Sequence, residues 1–167
     1  KAIMKSGILD DVDSIFGIHV MTTAPLGTVG YHSGVTQAGR SYFKVRINGK
    51  GGHGSMPHLS NDPIVAASHF VVGVQSIVSR RVNPLETAVV TIGSFDGKGS
   101  FNVIKDHVEL EGDVRTLSGE VREQVKEEFE RILDGIMKAY KCTYELIYSH
   151  DYPVLVNNPE MTELVVN

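Results

Sequence analysis

The stretch Gly51-Gly52-His53-Gly54-Ser55-Met56-Pro57-His58 sets two imidazoles five residues apart among three glycines. Glycine lets backbone come close to a ligand or to another chain, and loops held on a rigid scaffold often carry functional side chains. The plainer reading is a hairpin-like connection with two surface histidines, and spacing alone favours it. His19 ends the apolar run Ile15-Phe16-Gly17-Ile18. A lone histidine there is more often a hydrogen-bonded structural residue than a metal ligand. Asn102, in Phe101-Asn102-Val103-Ile104, suits a turn. Arg115 suits an exposed strand charge, and Glu109, Glu111 and Asp113 suit a solvated strand face. None of the seven histidines forms a helical metal pair at i, i+3 or i, i+4. The sequence has no G-x-S-x-G, phosphate loop, H-E-x-x-H or C-x-x-C motif.

The elements that must carry these residues follow from periodicity. Residues 42–47 alternate, with Phe43, Val45 and Ile47 on one face. Asp62-Pro63 starts a helix that runs to about Arg81, and residues 87–93 form a β-branched strand between Asn83-Pro84 and Asp96-Gly97. Residues 107–115 alternate again, with Val108, Leu110 and Val114 inward. A second helix over residues 119–140 puts Val121, Val125, Phe129, Ile132, Leu133 and Ile136 at helical spacing, and residues 143–148 close the set. Strand, helix, strand, strand, helix, strand is the order of a ferredoxin-like βαββαβ domain. In that α+β fold, a four-stranded antiparallel sheet carries two helices on one face. Two further strand candidates, residues 12–19 and 27–31, belong more naturally to a neighbouring domain. So does a helix capped by Asn158-Pro159 near the end of the chain. Both termini read as cuts through a larger protein.

Composition narrows the classes. With 167 residues, 41% of them hydrophobic, the chain can bury a real core, and a net charge of −4 argues against a nucleic-acid footprint. The third strand lacks the aromatic rings an RNA-recognition motif stacks on bases. No apolar run reaches the length of a membrane span, which predicts no membrane partner. The single cysteine, Cys142, excludes an internal disulfide and fits a reducing, cytoplasmic compartment. No charged residue occurs between Ile64 and Ser79. Solvent seldom faces four uncharged helical turns, so the back of this first helix is expected to pack on something, a second copy of the chain above all.

Several segments together resemble the aminoacylase/carboxypeptidase family of metal-dependent amidohydrolases, in particular its hippurate hydrolase and indole-acetyl-amino-acid hydrolase branch. They are Gly7-Ile8-Leu9-Asp10, residues 13–20, Pro25-Leu26-Gly27-Thr28-Val29-Gly30, residues 51–58, Asp62-Pro63-Ile64-Val65-Ala66-Ala67, Phe101-Asn102-Val103-Ile104 and Glu111-Gly112-Asp113-Val114-Arg115-Thr116. The resemblance implies a ferredoxin-like lid that also dimerises, inserted into an α/β catalytic domain. Residues 1–38 and 151–167 would be pieces of the catalytic domain, and residues 39–150 the lid. It implies hydrolysis of the amide bond in N-acyl amino acids or small peptides, with a pair of divalent metal ions (zinc, manganese, cobalt or nickel) in the full-length enzyme. By the same resemblance His19 is a metal ligand, and His53 is a catalytic histidine that reaches into the partner's site to stabilise the oxyanion. Asn102 lies near the substrate and Arg115 binds its carboxylate. The family's other metal ligands are not in this sequence, so the isolated chain is expected to hold no metal pair and to be inactive. Lys105 stands where the family commonly has proline. The alternative from a different class is a non-catalytic ferredoxin-like module whose only work is self-association.

Overall fold

The computed structural model describes residues 2–167. In chain order the elements are α1 (Ala2–Lys5), β1 (Gly34–Gln37), β2 (Gly39–Asn48), β3 (Gly52–His53), α2 (Pro63–Ser76), β4 (Ala88–Asp96), β5 (Val103–Ile104), β6 (His107–Thr116), α3 (Gly119–Tyr140), β7 (Thr143–Tyr152), β8 (Leu155–Asn157) and α4 (Pro159–Val166). The chain divides into two compact units. One is Val35–Leu155; the other joins Lys1–Gly34 to Val156–Asn167, so the two chain ends share one unit.

The larger unit is the expected ferredoxin-like α+β domain. Its four-stranded antiparallel sheet has the order β4-β6-β2-β7, which places the first and third strands of the motif side by side in the centre. Strand β2 alternates buried and half-buried residues along its whole length, as a strand with one covered face must. Phe43, Val45 and Ile47 point to the helices and are fully buried, as are Val108 and Leu110 of β6. Gly112 takes the next inward position on β6, directly opposite Phe43. A Cβ there would lie 2.0 Å from the Thr91 carbonyl oxygen and 2.5 Å from Phe43 Cζ, so the ring occupies the space a side chain would need. Phe129 of α3 packs 4.6 Å from Phe43 and meets Phe70 of α2 edge-on at 5.1 Å (centroid distances). Such pairs add roughly 0.5–1.5 kcal/mol each beyond their burial.

Both long helices begin where their caps predict. Asp62 accepts from the Ile64 and Val65 amides with Pro63 in the first turn, and Ser118 accepts from the Val121 amide. α3 keeps the expected span and closes on Lys141 in the left-handed conformation (φ 54°). α2 is shorter than predicted: after Ser76 the backbone widens into a π-turn, Ile77–Arg81, that carries Arg80 and Arg81. Gly73 faces α3 rather than the outer side of α2, with space for a Cβ closed by Ile132 and Ile136 at 3.1 Å. The outer side keeps Val65, Ser68, His69, Val72 and Gln75 exposed, all uncharged.

The smaller unit departs from the sequence reading in one respect. Residues 12–19 and 27–31 form no strand, and every residue from 12 to 33 is exposed, Phe16, Ile18 and Val20 included. A strand exists by its ladder, and among the described residues these segments have no strand to pair with. Within this unit Asn157 Nδ2 donates to the His32 carbonyl, and Asn158 caps α4 by accepting from the Met161 amide, as its sequence predicts.

Candidate active site

His53 stands at one end of the sheet, in a loop stitched to the chain that leads into β6. After β2, the Gly49 amide donates to the Asp106 carbonyl (2.7 Å), and Lys50 and Asn61 exchange backbone hydrogen bonds across the base of the loop. Gly52 and His53 then pair with Ile104 and Val103 as the two-residue ribbon β3–β5, and the Gly54 amide donates to the Asn102 carbonyl at 2.8 Å. This contact needs glycine: a Cβ on residue 54 would sit 2.9 Å from that oxygen. His53 and Asn102 are thereby neighbours on adjoining exposed backbone, although 49 residues separate them in sequence. Exposed Met56, Leu59 and Phe101 give the same loops an apolar rim.

The His53 ring is tethered at one nitrogen. The Ser55 amide donates to Nδ1 at 3.2 Å, and the Ser55 hydroxyl lies 2.8 Å from the same atom. His58 lies apart from this tether, in the 3-10 turn Pro57–Leu59.

Arg115 is near the other end of β6. From His107 to Arg115 is eight residues of strand, about 26 Å at roughly 3.3 Å per residue. Within one copy the fold therefore brings His53 and Asn102 together and leaves Arg115 apart. Arg115 sits directly opposite Arg40 of β2, a like-charge pair that would repel if left alone. Asp113 relieves it. It accepts from Arg115 Nε at 2.7 Å and lies 3.9 Å from Arg40 Nε, while Asp151 lies 3.6 Å from the same Arg40 nitrogen. Tyr152 Oη accepts from Arg115 Nη1 at 2.8 Å. The hydrogen bond to Asp113 holds the Arg115 guanidinium above its ordinary range, so it stays charged. With Nε bonded to Asp113 and one Nη1 hydrogen to Tyr152, the other Nη1 hydrogen and the two on Nη2 are left for a carboxylate. Asp113 and Tyr152 are partners that sequence reading missed. The available signal was the i, i+2 spacing that sets Asp113 and Arg115 on one strand face.

On the helix-facing side, Ser41 Oγ lies 2.7 Å from His150 Nδ1, and His150 Nε2 lies 3.3 Å from Glu123 Oε2. The residue types resemble a nucleophile relay, but Ser41 is 1% exposed and no substrate can reach it. Its work is to satisfy buried polar groups.

His19, in the smaller unit, is exposed, and its Nδ1 lies 2.7 Å from the Val20 carbonyl. A carbonyl only accepts, so Nδ1 carries the proton and, in the neutral ring, Nε2 keeps a lone pair. This is one of the two tautomers through which a neutral imidazole can bind a metal. Among the described residues no three His, Cys, Asp or Glu side chains gather into a metal-sized cluster. No helix among them is long and apolar enough to cross a membrane.

The comparisons with known proteins agree with this architecture. Residues 35–141 match the family model described as the peptidase dimerisation domain of M20 peptidases. The chain is 40% identical over 163 residues to the N-acetyl-L-cysteine deacetylase of Bacillus subtilis, covering 98% of this chain and 39% of that protein. It is 36% identical over 171 residues to IAA-amino acid hydrolase ILR1-like 4 of Arabidopsis thaliana, covering all of this chain and 39% of that one. A crystal structure from methicillin-resistant Staphylococcus aureus, provisionally named an aminohydrolase, superposes with a TM-score of 0.87 at 52% identity, covering 98% of this chain and 44% of that one. The Bacillus subtilis YXEP protein, described as a dinuclear metal binding peptidase from the M20 family, superposes with a TM-score of 0.72 at 31% identity, covering 96% of this chain and 39% of that one. The chain thus spans about two fifths of the length of the curated relatives it matches. It belongs to the family of M20 peptidase dimerisation domains.

Proposed function

We propose that this chain is part of a two-metal amidohydrolase that cleaves the amide bond of N-acyl amino acids or small peptides, with His53 acting in the active site of a second copy. The observation that carries this reading is the placement of His53 and Asn102 on one ribbon just ahead of the His107 end of β6, from which about 26 Å of strand leads to Arg115. A small N-acyl amino acid is far shorter than that distance. One copy therefore cannot apply all three residues to one substrate, and two copies of a symmetric dimer can. Among the relatives, the N-acetyl-L-cysteine deacetylase and the IAA-amino acid hydrolase are each named for cleaving an acyl group from an amino acid, which is the same kind of bond.

In this reading residues 39–150 are the dimerising lid, with the flanking segments 1–38 and 151–167 in the catalytic domain. The uncharged outer side of α2, with Val65 and Val72 exposed, is the dimer surface, next to the open sheet edge of β4. Arg115 holds the substrate carboxylate through its remaining Nη hydrogens while Asp113 and Tyr152 keep the guanidinium in place. His53 donates to the oxygen that gains charge as the carbonyl becomes tetrahedral, and the Asn102 amide lies beside it. His19 offers Nε2 to one metal. When bound, the metal pair supplies Lewis acidity and an activated water; zinc, manganese, cobalt and nickel all suit imidazole and carboxylate ligands.

The test is His53→Ala in the full-length enzyme. The reading expects kcat to fall by about 10²–10³-fold, the usual loss for one oxyanion donor, with metal content unchanged by elemental analysis. Parallel loss of metal, or an unchanged kcat, would show that His53 has a different role.

A further inference from the structure

The bond between Ser55 and His53 settles which nitrogen of the candidate catalytic ring carries a proton. A backbone N–H can only donate, and that of Ser55 points at His53 Nδ1 from 3.2 Å. A hydrogen on Nδ1 would face the amide hydrogen head to head, so in the neutral ring Nδ1 holds the lone pair and Nε2 holds the proton. The Ser55 hydroxyl, 2.8 Å from Nδ1, then donates to the same lone pair. Nε2–H has no protein partner among the described residues and lies on an exposed loop.

We propose that Ser55 is a positioning residue that locks His53 as the Nε2–H tautomer, so that an outward-facing donor is always ready for the oxyanion. The opposite tautomer would offer a lone pair there and repel developing negative charge. The lock is local. It depends on two residues of one turn, whose shape is set by the Gly54–Asn102 bond and by the Met56 amide donating to the His53 carbonyl at 2.9 Å. The functional half of this inference rests on the reading of His53 as the oxyanion donor; the tautomer itself does not.

Imidazole 15N NMR of this chain at neutral pH reads the tautomer directly. The wild type is expected to show His53 protonated at Nε2. Ser55→Ala, which keeps the backbone N–H, retains that tautomer, and Ser55→Pro, which removes both donors, relaxes the ring to the tautomer mixture of a free imidazole, in which Nε2–H still leads but Nδ1–H is detectable. In the full-length enzyme S55P, which also frees the orientation of the ring, is expected to lower kcat by about 10²-fold with a smaller change in KM, and to cause no further loss when added to H53A. A wild-type ring protonated at Nδ1 overturns the proposal regardless of how any variant folds, and so does an S55P ring with no more Nδ1–H than the wild type. A tautomer that shifts in S55P with kcat unmoved upholds the lock and overturns the reading of His53 as the donor.

Discussion

The Gly54 amide donates to the Asn102 carbonyl across 2.8 Å, and with the His53–Val103 pair this bond keeps the imidazole loop beside the amide loop. Gly54→Ala tests how closely the site depends on it. The new methyl carbon would start 2.9 Å from the Asn102 oxygen, so one of the two loops must move. In the full-length enzyme kcat is expected to fall by about 10²-fold, the scale of a 1 Å misplacement. The urea midpoint should barely change, because both loops are exposed. An unchanged kcat would mean that the loops need not be held together.

The outer side of α2 makes a separate prediction. Val72 is 73% exposed in the centre of an uncharged helix face. Val72→Glu removes no buried contact within one copy but would bury an unpaired charge between two. Light scattering is expected to show a monomer where the wild type is a dimer, with circular dichroism unchanged. A variant that stays dimeric would move the interface away from this face.

Acid stability follows from Glu128, in the middle of α3, which bonds Arg81 at the end of the π-turn after α2. Hydrogen bonds from Arg131 and then Arg81 hold its carboxyl below the ordinary value of 4.5. A depressed folded-state pKa contributes stability that is present above the unfolded value and is lost as pH falls through the folded one. The window therefore opens near pH 4.5 and extends below it. Glu128→Gln should lower the melting temperature at neutral pH and flatten its further fall under acid. Parallel melting curves for the two proteins across that window would show that the pair contributes nothing.

Much of the fold is legible in the sequence because its signals are long and periodic. The alternation through Phe43, Val45 and Ile47 and the helical stripe from Val121 to Phe129 each repeat often enough to fix a face, and the caps Asp62 and Ser118 mark where the helices start. The ribbon of Gly52–His53 with Val103–Ile104 is not legible, since two residues carry no period and their partners are 50 and 52 positions away. Nor is the π-turn after Ser76, where the apolar pattern continues through Ile77 and Val78 although the backbone has widened. His53, Asn102 and Arg115 can be singled out by type and by family resemblance. Their separation into two groups emerges only when β6 is laid out as a strand. The apolar runs near Ile18 and Val29 have strand composition, but composition cannot supply the neighbouring strand that would make them a ladder.

The central claim is that His53 acts in a site belonging to another copy, and subunit complementation measures this directly. Full-length His53→Ala and full-length His19→Ala, each inactive alone, are mixed under conditions that let subunits exchange. In a mixed dimer the copy with an intact His19 receives the intact His53 of its neighbour, so one of two sites is complete. With half of randomly exchanged dimers mixed, the account predicts recovery of about a quarter of wild-type activity. If His53 served its own subunit, every mixed dimer would lack a complete site, and a mixture as inactive as its two components would contradict the account.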